Sequence, residues 1–335
     1  MRSAAATPTL AVEGLTTQFG TRAGIVTPVD GVSFSVMPGQ IMGLVGESGS
    51  GKSLTGYSIM GLIDPPGRMV GGSIRLNGRE LFGQSQEQMR SIRGNRIAMI
   101  FQDPMMTLNP VLRIATQMME AVLAHQQVSK RQARAMSRDA LERVGIASPD
   151  ERLLAYPHQF SGGMRQRVAI AIALLNKPDL IICDEPTTAL DVTIQGQILY
   201  EMQKLCRETG AALIWITHDL SVIAGLADTV CVMYAGKIVE SGTAAQVLEH
   251  PRHPYSNALI ASAPSRNIRG QPLRQIPGMT PSLMNLPSGC AFRERCERST
   301  AVCGSVPELQ THNNRSLRCF HPVDGACENS PCPTP

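Results

Sequence analysis

Apolar and polar positions change period several times along this chain, and each change marks an element. Leu10 to Phe19 alternates weakly and Val32 to Val36 alternates cleanly, the two-residue period of half-buried strands. Solid apolar runs then replace the alternation at Ile41–Val45, Arg96–Phe101, Asp179–Cys183 and Ala211–Thr217, with Thr229–Tyr234 and Lys237–Glu240 after them. Strands apolar on both faces belong inside a parallel sheet covered by helices. Gly72 to Gly78 reads as a short strand and turn, and Gln84 to Ile92 as a helix. Apolar residues recur at helical spacing in Leu112–Gln126, Lys130–Val144, Glu151–Leu154 and Ile194–Arg207, while Val168–Leu175 is apolar all round and predicted to be buried on most sides. Lys130, Arg131, Arg134 and Arg138 form a stripe that reads as a solvated helix face. The pattern predicts an α/β fold, with an antiparallel β portion beside a mostly parallel sheet and a helical insertion over about 112–176.

Composition narrows this picture. With 335 residues, 43% hydrophobic and 17% charged, a packed core is easily built and global disorder is excluded. A net charge of +4, unclustered, does not argue for nucleic acid or an anionic membrane as the main partner. No apolar run approaches the roughly 20 residues that cross a bilayer, and Met1–Thr9 carries one Arg and no apolar core, so it does not read as a signal peptide. The chain is expected to be soluble and to meet a membrane only through partners.

The candidate chemistry centres on Gly46-Glu-Ser-Gly-Ser-Gly-Lys52-Ser53, between the run Ile41–Val45 and a helix starting at Leu54. Strand, glycine-rich turn and helix is the setting in which this spacing makes a phosphate-binding loop. Backbone N–H groups of Gly46, Ser48, Gly49, Ser50, Gly51 and Leu54 are expected to face phosphate oxygens, Lys52 to reach the β- and γ-phosphates, and the Ser53 hydroxyl to ligate Mg²⁺. Asp179–Cys183 ends in Asp184 and Glu185: Asp184 is placed to hold Mg²⁺ through water, and Glu185 to polarise the water attacking the γ-phosphate. Gln102, leaving another strand end, is a candidate contact for Mg²⁺ or that water, and His218, at the mouth of a third strand, a candidate γ-phosphate sensor. Phe19 is either a platform for adenine or a core aromatic at a strand end. Ser161 is a natural N-cap, and Gly162 and Gly163 leave backbone N–H groups uncovered at a second helix start.

The loop, Gln102, Ser161-Gly-Gly-Met164, Asp184-Glu185, Asp191 and His218 occur in the order of an ABC-type ATPase, and the chain closely resembles that family's nucleotide-binding subunit over about 8–250. The resemblance implies that Gln102 is the Q-loop, Ser161–Met164 the signature, Asp191 the D-loop and His218 the switch histidine. It also implies two such domains stacked head to tail around ATP and Mg²⁺, with Ser161, Gly162, Gly163, Met164 and Asp191 meeting the partner's nucleotide. The family's signature reads L-S-G-G-Q where this chain has Phe160 and Met164, so the polar contact of the glutamine is missing.

Residues 251–335 read as a separate extension. Cys290, Cys296, Cys303 and Cys319 sit in a segment rich in Pro, Gly and Arg, too poor in apolar residues for a core of its own. The four thiols suit a [4Fe–4S] cluster, the favoured reading; Zn²⁺, and free or disulfide-linked thiols, remain open. Cys183, Cys206 and Cys231 read as small buried hydrophobes, and Cys327 and Cys332 as spare thiols. The extension resembles that of oligopeptide and dipeptide importer ATPases, and Phe160–Arg167 resembles their D-type subunit. This implies a sibling ATPase, two transmembrane permease subunits received near Asp103–Arg113, an extracytoplasmic peptide-binding protein, and a place on the cytoplasmic face of the bacterial inner membrane. Nickel, glutathione or another small solute is the alternative cargo. A soluble ATPase acting on nucleic acid is the alternative class, disfavoured by the small charge and the absence of a second cassette.

Overall fold

A computed structural model describes residues 7–187, 192–263, 267, 270, 272 and 274–323. In chain order, β1 (Leu10–Thr21) and β2 (Gly24–Val36) form a long hairpin, and β3 (Ile41–Val45) leads into α1 (Lys52–Met60). β4 (Gly67–Leu76), β5 (Arg79–Glu80) and α2 (Gln86–Ile92) precede β6 (Ile97–Ile100). α3 (Ile114–Leu123), α4 (Lys130–Arg143), α5 (Pro149–Leu154) and α6 (Gly162–Leu174) follow as a helical block. Then come β7 (Leu180–Asp184), α7 (Val192–Thr209), β8 (Ala212–Thr217), α8 (Leu220–Leu226), β9 (Thr229–Tyr234) and β10 (Lys237–Thr243). α9 (Ala244–Leu248), α10 (Pro254–Ala261), β11 (Gln310–His312) and β12 (Arg315–Leu317) complete the described elements.

Two sheets result. One is antiparallel in the order β2-β1-β4-β5; the other runs β11-β12-β10-β9-β3-β8-β7-β6. In the larger sheet β9, β3, β8, β7 and β6 are parallel, and an antiparallel edge begins at β10. Every residue of β3, β6, β7 and β8 is buried, which is why these segments read as unbroken apolar runs. Alternate residues serve different cores. Met42, Leu44, Met99 and Ile182 meet the antiparallel sheet, and Ile41, Val45, Ala98 and Cys183 meet the helices on the other face.

The antiparallel and parallel portions and the helical block agree with the sequence pattern; several boundaries differ. β4 starts at Gly67, well before the expected Gly72, because Gly71 and Gly72 interrupt the apolar alternation. At Gly72 (φ +101°) an added Cβ would lie 2.7 Å from the Leu15 backbone, so the glycine permits the close approach that pairs β4 with β1. β2 likewise begins at Gly24, and α3 is shorter than the expected Leu112–Gln126. α6 starts directly at Gly162 behind the Ser161 cap, and most of its Val168–Ala173 stretch is buried as expected. Lys130, Arg131 and Arg138 are exposed, the solvated face predicted for α4. Cys183, Cys206 and Cys231 are buried, and burial raises their thiol pKa, to about 11 for Cys206 and about 12 for Cys231. Asp191, Cys327 and Cys332 lie outside the described residues.

The hairpin β11–β12 carries no buried residue, so no hydrophobic pattern announced it. Backbone pairing to β10 holds it, together with Glu240, a fully buried carboxylate that accepts from Arg315 and from the backbone N–H groups of Arg252 and His253. His253 is buried beside it. Its Nδ1 accepts from the Tyr255 N–H (3.0 Å) at the start of α10, and burial drives its pKa from the ordinary 6.5 down to about 4.

The neutral imidazole makes stability pH-dependent. Between about pH 6.5 and pH 4 the unfolded chain takes up a proton on this residue that the folded chain refuses. Its contribution is complete above pH 6.5 and is lost as the pH falls toward 4, by about 3 kcal/mol in total. Denaturant titrations from pH 7.5 to 4.5 should show this decline, flattened in His253→Gln; equal slopes would exclude His253 as the source.

Candidate active site

The site grows from the ends of three adjacent parallel strands. β3 delivers the glycine-rich loop, β7 delivers Asp184 and Glu185, and β8 delivers Thr217 and His218. β6, beyond β7, delivers Gln102. Carboxyl ends of parallel strands form the crevice in which α/β sheets place their ligands.

Two glycines seat the loop against its neighbours. At Gly51 (φ +103°) a Cβ would lie 2.1 Å from the Pro28 carbonyl oxygen of β2, and at Gly46 a Cβ would lie 2.3 Å from the Met233 carbonyl oxygen of β9. Gly236 N–H donates to the Ser50 carbonyl, tying the loop to the turn between β9 and β10. Ser50 is buried, while Ser48 and Gly49 are exposed at the tip, free to meet a ligand.

Lys52 is the first residue of α1 and is 6% exposed. Its Nζ donates to the carbonyls of Gly46 (2.8 Å) and Glu47 (2.9 Å) and lies 3.5 Å from Ser50 Oγ. Burial lowers its pKa, opposed by the carboxylates of Glu185, Asp184 and Glu47, which favour the ammonium form. Ser53 Oγ donates to Asp184 Oδ1 at 2.8 Å. Burial raises the pKa of Asp184, 1% exposed, and the Ser53 hydrogen bond pulls against it. A hydroxyl and a buried carboxylate in contact, oxygen donors only, fit the ligand shell of Mg²⁺. Tyr57, whose phenol pKa is raised by burial and by the neighbouring Asp184 charge, is a further site residue that the motif did not reveal.

Glu185 occupies a left-handed conformation (φ +46°), which turns its side chain across the strand ends. Gln102 Nε2 donates to its Oε2 at 3.2 Å, and His218 Nδ1 lies 2.9 Å from its Oε1. Three residues that the sequence placed in separate motifs therefore meet at one carboxylate. Phe19, in contrast, stands at the end of β1 with its ring against Gly67, half-buried in the antiparallel sheet. Ser161 and Gly162 are exposed at the start of α6, where Ser161 Oγ accepts from the Met164 N–H. Met164 is partly buried and packs against the core on the helical side of the sheet.

Glu47, inside the loop, is met there by Tyr255, Thr280 and Arg295, which no motif or spacing tied to it. Glu47 N–H donates to the Tyr255 hydroxyl (2.8 Å), and Arg295 of the extension grips its carboxylate at 2.7 and 2.9 Å. Cys290, Cys296, Cys303 and Cys319 line one small cavity with His253, Phe292 and His321. Burial raises the pKa values of Cys290, Cys296 and Cys319, the last to about 11. Among the described residues no group of three or more His, Cys, Asp or Glu is arranged to hold a metal ion, so the expected iron–sulfur ligand set is not formed by these side-chain positions.

A family profile described as ABC transporter matches residues 29–188, and one described as oligopeptide/dipeptide transporter, C-terminal region, matches 239–303. The oligopeptide transport ATP-binding protein OppD of Escherichia coli (strain K12) is 46% identical over 316 residues, covering 94% of each chain. The dipeptide transport ATP-binding protein DppD of Bacillus subtilis (strain 168) is 48% identical over 314 residues, covering 93% of this chain and 94% of the relative. Among solved structures, a dimeric ATP-binding cassette in a post-hydrolysis state, bound to ADP and phosphate, aligns with a TM-score of 0.65 at 24% identity, covering 70% of this chain and 98% of that one.

The two glycine environments separate packing from strain. Gly51→Ala forces a Cβ onto the Pro28 backbone and should cost about 3 kcal/mol of stability together with nucleotide affinity. At Gly49 nothing lies within 4 Å of the added Cβ, so Gly49→Ala should cost about 1 kcal/mol, from its φ alone. Thermal unfolding of the two variants checks the contrast, and equal losses would contradict it.

Proposed function

Because the chain belongs to the ABC transporter ATP-binding proteins, in their oligopeptide/dipeptide branch, we propose that it hydrolyses ATP to drive import of di- and oligopeptides. The observation that carries the catalytic part is the meeting of Gln102 and His218 on Glu185 beside the phosphate loop. Residues 8–250 form the nucleotide-binding unit in this reading, with a helical subdomain at about 112–176, and 251–335 the extension.

Lys52 would exchange the Gly46 and Glu47 carbonyls for the β- and γ-phosphates, and the N–H groups of Gly46–Leu54 would cradle them. Ser53 and Asp184 would hold Mg²⁺, which offsets charge on the phosphate oxygens. Glu185 would take the proton of the attacking water, oriented by Gln102 and His218; the ring sits on the carboxylate that must be aimed. Phe19 would stack on adenine. Ser161, Gly162, Gly163, Met164 and Asp191 would meet the nucleotide of a sibling ATPase in a head-to-tail pair, and the exposure of Ser161 and Gly162 supports that role.

No helix among the described residues is long and apolar enough to cross a membrane. We place the chain on the cytoplasmic face of the inner membrane, held by two permease subunits and supplied by an extracytoplasmic peptide-binding protein. Exposed Met106 and Val111, in the segment after Gln102, supply the apolar surface for the permeases. The extension would carry a [4Fe–4S] cluster on Cys290, Cys296, Cys303 and Cys319. Four soft donors lining one cavity support it, with their side chains having to turn toward a common centre, and burial raises the pKa of Cys290, Cys296 and Cys319, so a bound cation would be needed to hold these three as thiolates.

Glu185→Gln should leave ATP binding intact and lower turnover about 10²–10⁴-fold, while Lys52→Ala should weaken ATP binding itself. Single-turnover assays with the sibling ATPase decide this, and near-normal hydrolysis by Glu185→Gln would remove the general-base role. Anaerobic purification should yield brown protein with about four irons per chain. Colourless protein, with zinc or without metal, would remove the cluster and leave the ATPase reading intact.

A further inference from the structure

The extension touches the phosphate loop at one side chain. Arg295 lies in the short helical turn Arg293–Arg295 between Cys290 and Cys296, yet it is 7% exposed and its guanidinium reaches the loop. Its Nη1 and Nη2 engage both carboxylate oxygens of Glu47, at 2.7 and 2.9 Å, in a two-point fork. Two further donors are spent inside the protein: Nε donates to the Pro277 carbonyl at 2.8 Å, and Nη1 lies 3.3 Å from the Tyr234 hydroxyl. The guanidinium also stands 5.9 Å from the ring centres of Tyr234 and Phe292. Thr280 Oγ1 adds a hydrogen bond to Glu47 Oε2. The second residue of the phosphate loop is thus held by its backbone from α10, through Tyr255, and by its side chain from the extension.

Electrostatics gives this contact a direction. A carboxylate inside a loop that receives a polyphosphate is the wrong charge in the wrong place. Burial alone would raise the pKa of Glu47, but the hydrogen bond and charge of Arg295, with Thr280 and Lys52 adding to them, lower it and favour the carboxylate. Left uncompensated, that charge would repel the phosphates and compete for Lys52, whose Nζ already lies 2.9 Å from the Glu47 carbonyl. We propose that Arg295 is a positioning residue for nucleotide binding: by neutralising Glu47 it holds the loop open to a polyphosphate and leaves Lys52 free to engage it. The extension is then part of the nucleotide site, and displacing it lowers affinity for ATP. This rests on the reading of Gly46–Ser53 as the nucleotide-binding loop.

Equilibrium titration of the full chain with a fluorescent ATP analogue, alongside thermal unfolding, tests the proposal. Arg295→Gln should weaken ATP binding about tenfold. Adding Glu47→Gln should recover most of that loss, since the unpaired charge is gone, and Arg295→Lys should stand in between. The same series should change AMP affinity far less. Arg295→Gln with a lowered Tm but unchanged ATP affinity would overturn the proposal and leave the contact a docking point only. Failure of the Glu47→Gln addition to recover affinity would overturn it as well. Should Arg295→Gln not fold, Glu47→Gln alone decides: ATP affinity equal to or tighter than that of the unsubstituted chain supports neutralisation, and a tenfold loss contradicts it. An unsubstituted chain that binds ATP no better than Lys52→Ala would overturn the nucleotide reading instead.

Discussion

An ammonium group taken out of water at the end of β3 must be met by oxygen on every side, and much of the site follows from that requirement. Lys52 meets it with the Gly46 and Glu47 carbonyls and with three carboxylates that act at longer range. Those contacts exist only because Gly46 and Gly51 let the loop close onto β9 and β2 with no Cβ between. The buried charge, the tight loop and the two neighbouring strands are one arrangement: loosening any of them leaves the ammonium short of partners.

Parallel topology supplies the rest of the polar groups. Because β3 lies beside β8 and β8 beside β7, side chains more than a hundred residues apart emerge side by side at one edge. Ser53 can reach Asp184, and His218 can reach Glu185, without any local sequence relation. The antiparallel sheet packs over one face of the same strands and the helices over the other, so the strands that carry the loop are covered on both sides. Glu185 in a left-handed conformation is the one place in this row where backbone strain is spent on aiming a carboxylate.

The extension repeats the logic at smaller scale. It has little apolar surface, and it is fastened by charge: Arg315 on Glu240 at the sheet edge, Arg295 on Glu47 at the loop. Between these anchors Phe292 packs among Tyr234, Tyr255 and His253, a small aromatic cluster that joins the cysteine cavity to the β9–β10 edge. A segment that cannot fold on hydrophobic burial alone thereby gains its structure from the body it docks on.

Periodicity alone determined the class of fold, because strands buried on both faces and a helix apolar all round leave unmistakable runs at Ile41–Val45, Ala212–Thr217 and Val168–Leu175. Motif spacing determined Lys52, Ser53, Asp184, Glu185 and His218 as one series, since phosphate chemistry demands those groups at strand ends and helix starts. The part of β4 before Gly72 and the polar hairpin β11–β12 were illegible, because neither stretch buries a side chain: backbone pairing holds them, with the Arg315–Glu240 contact at β12. The partners within the site were decided only in three dimensions. Gln102 donates to Glu185, Met164 packs against the core, and Arg295 reaches back across 248 positions to Glu47. Such pairs carry no period and no spacing; they exist because folding brings groups far apart in the chain together.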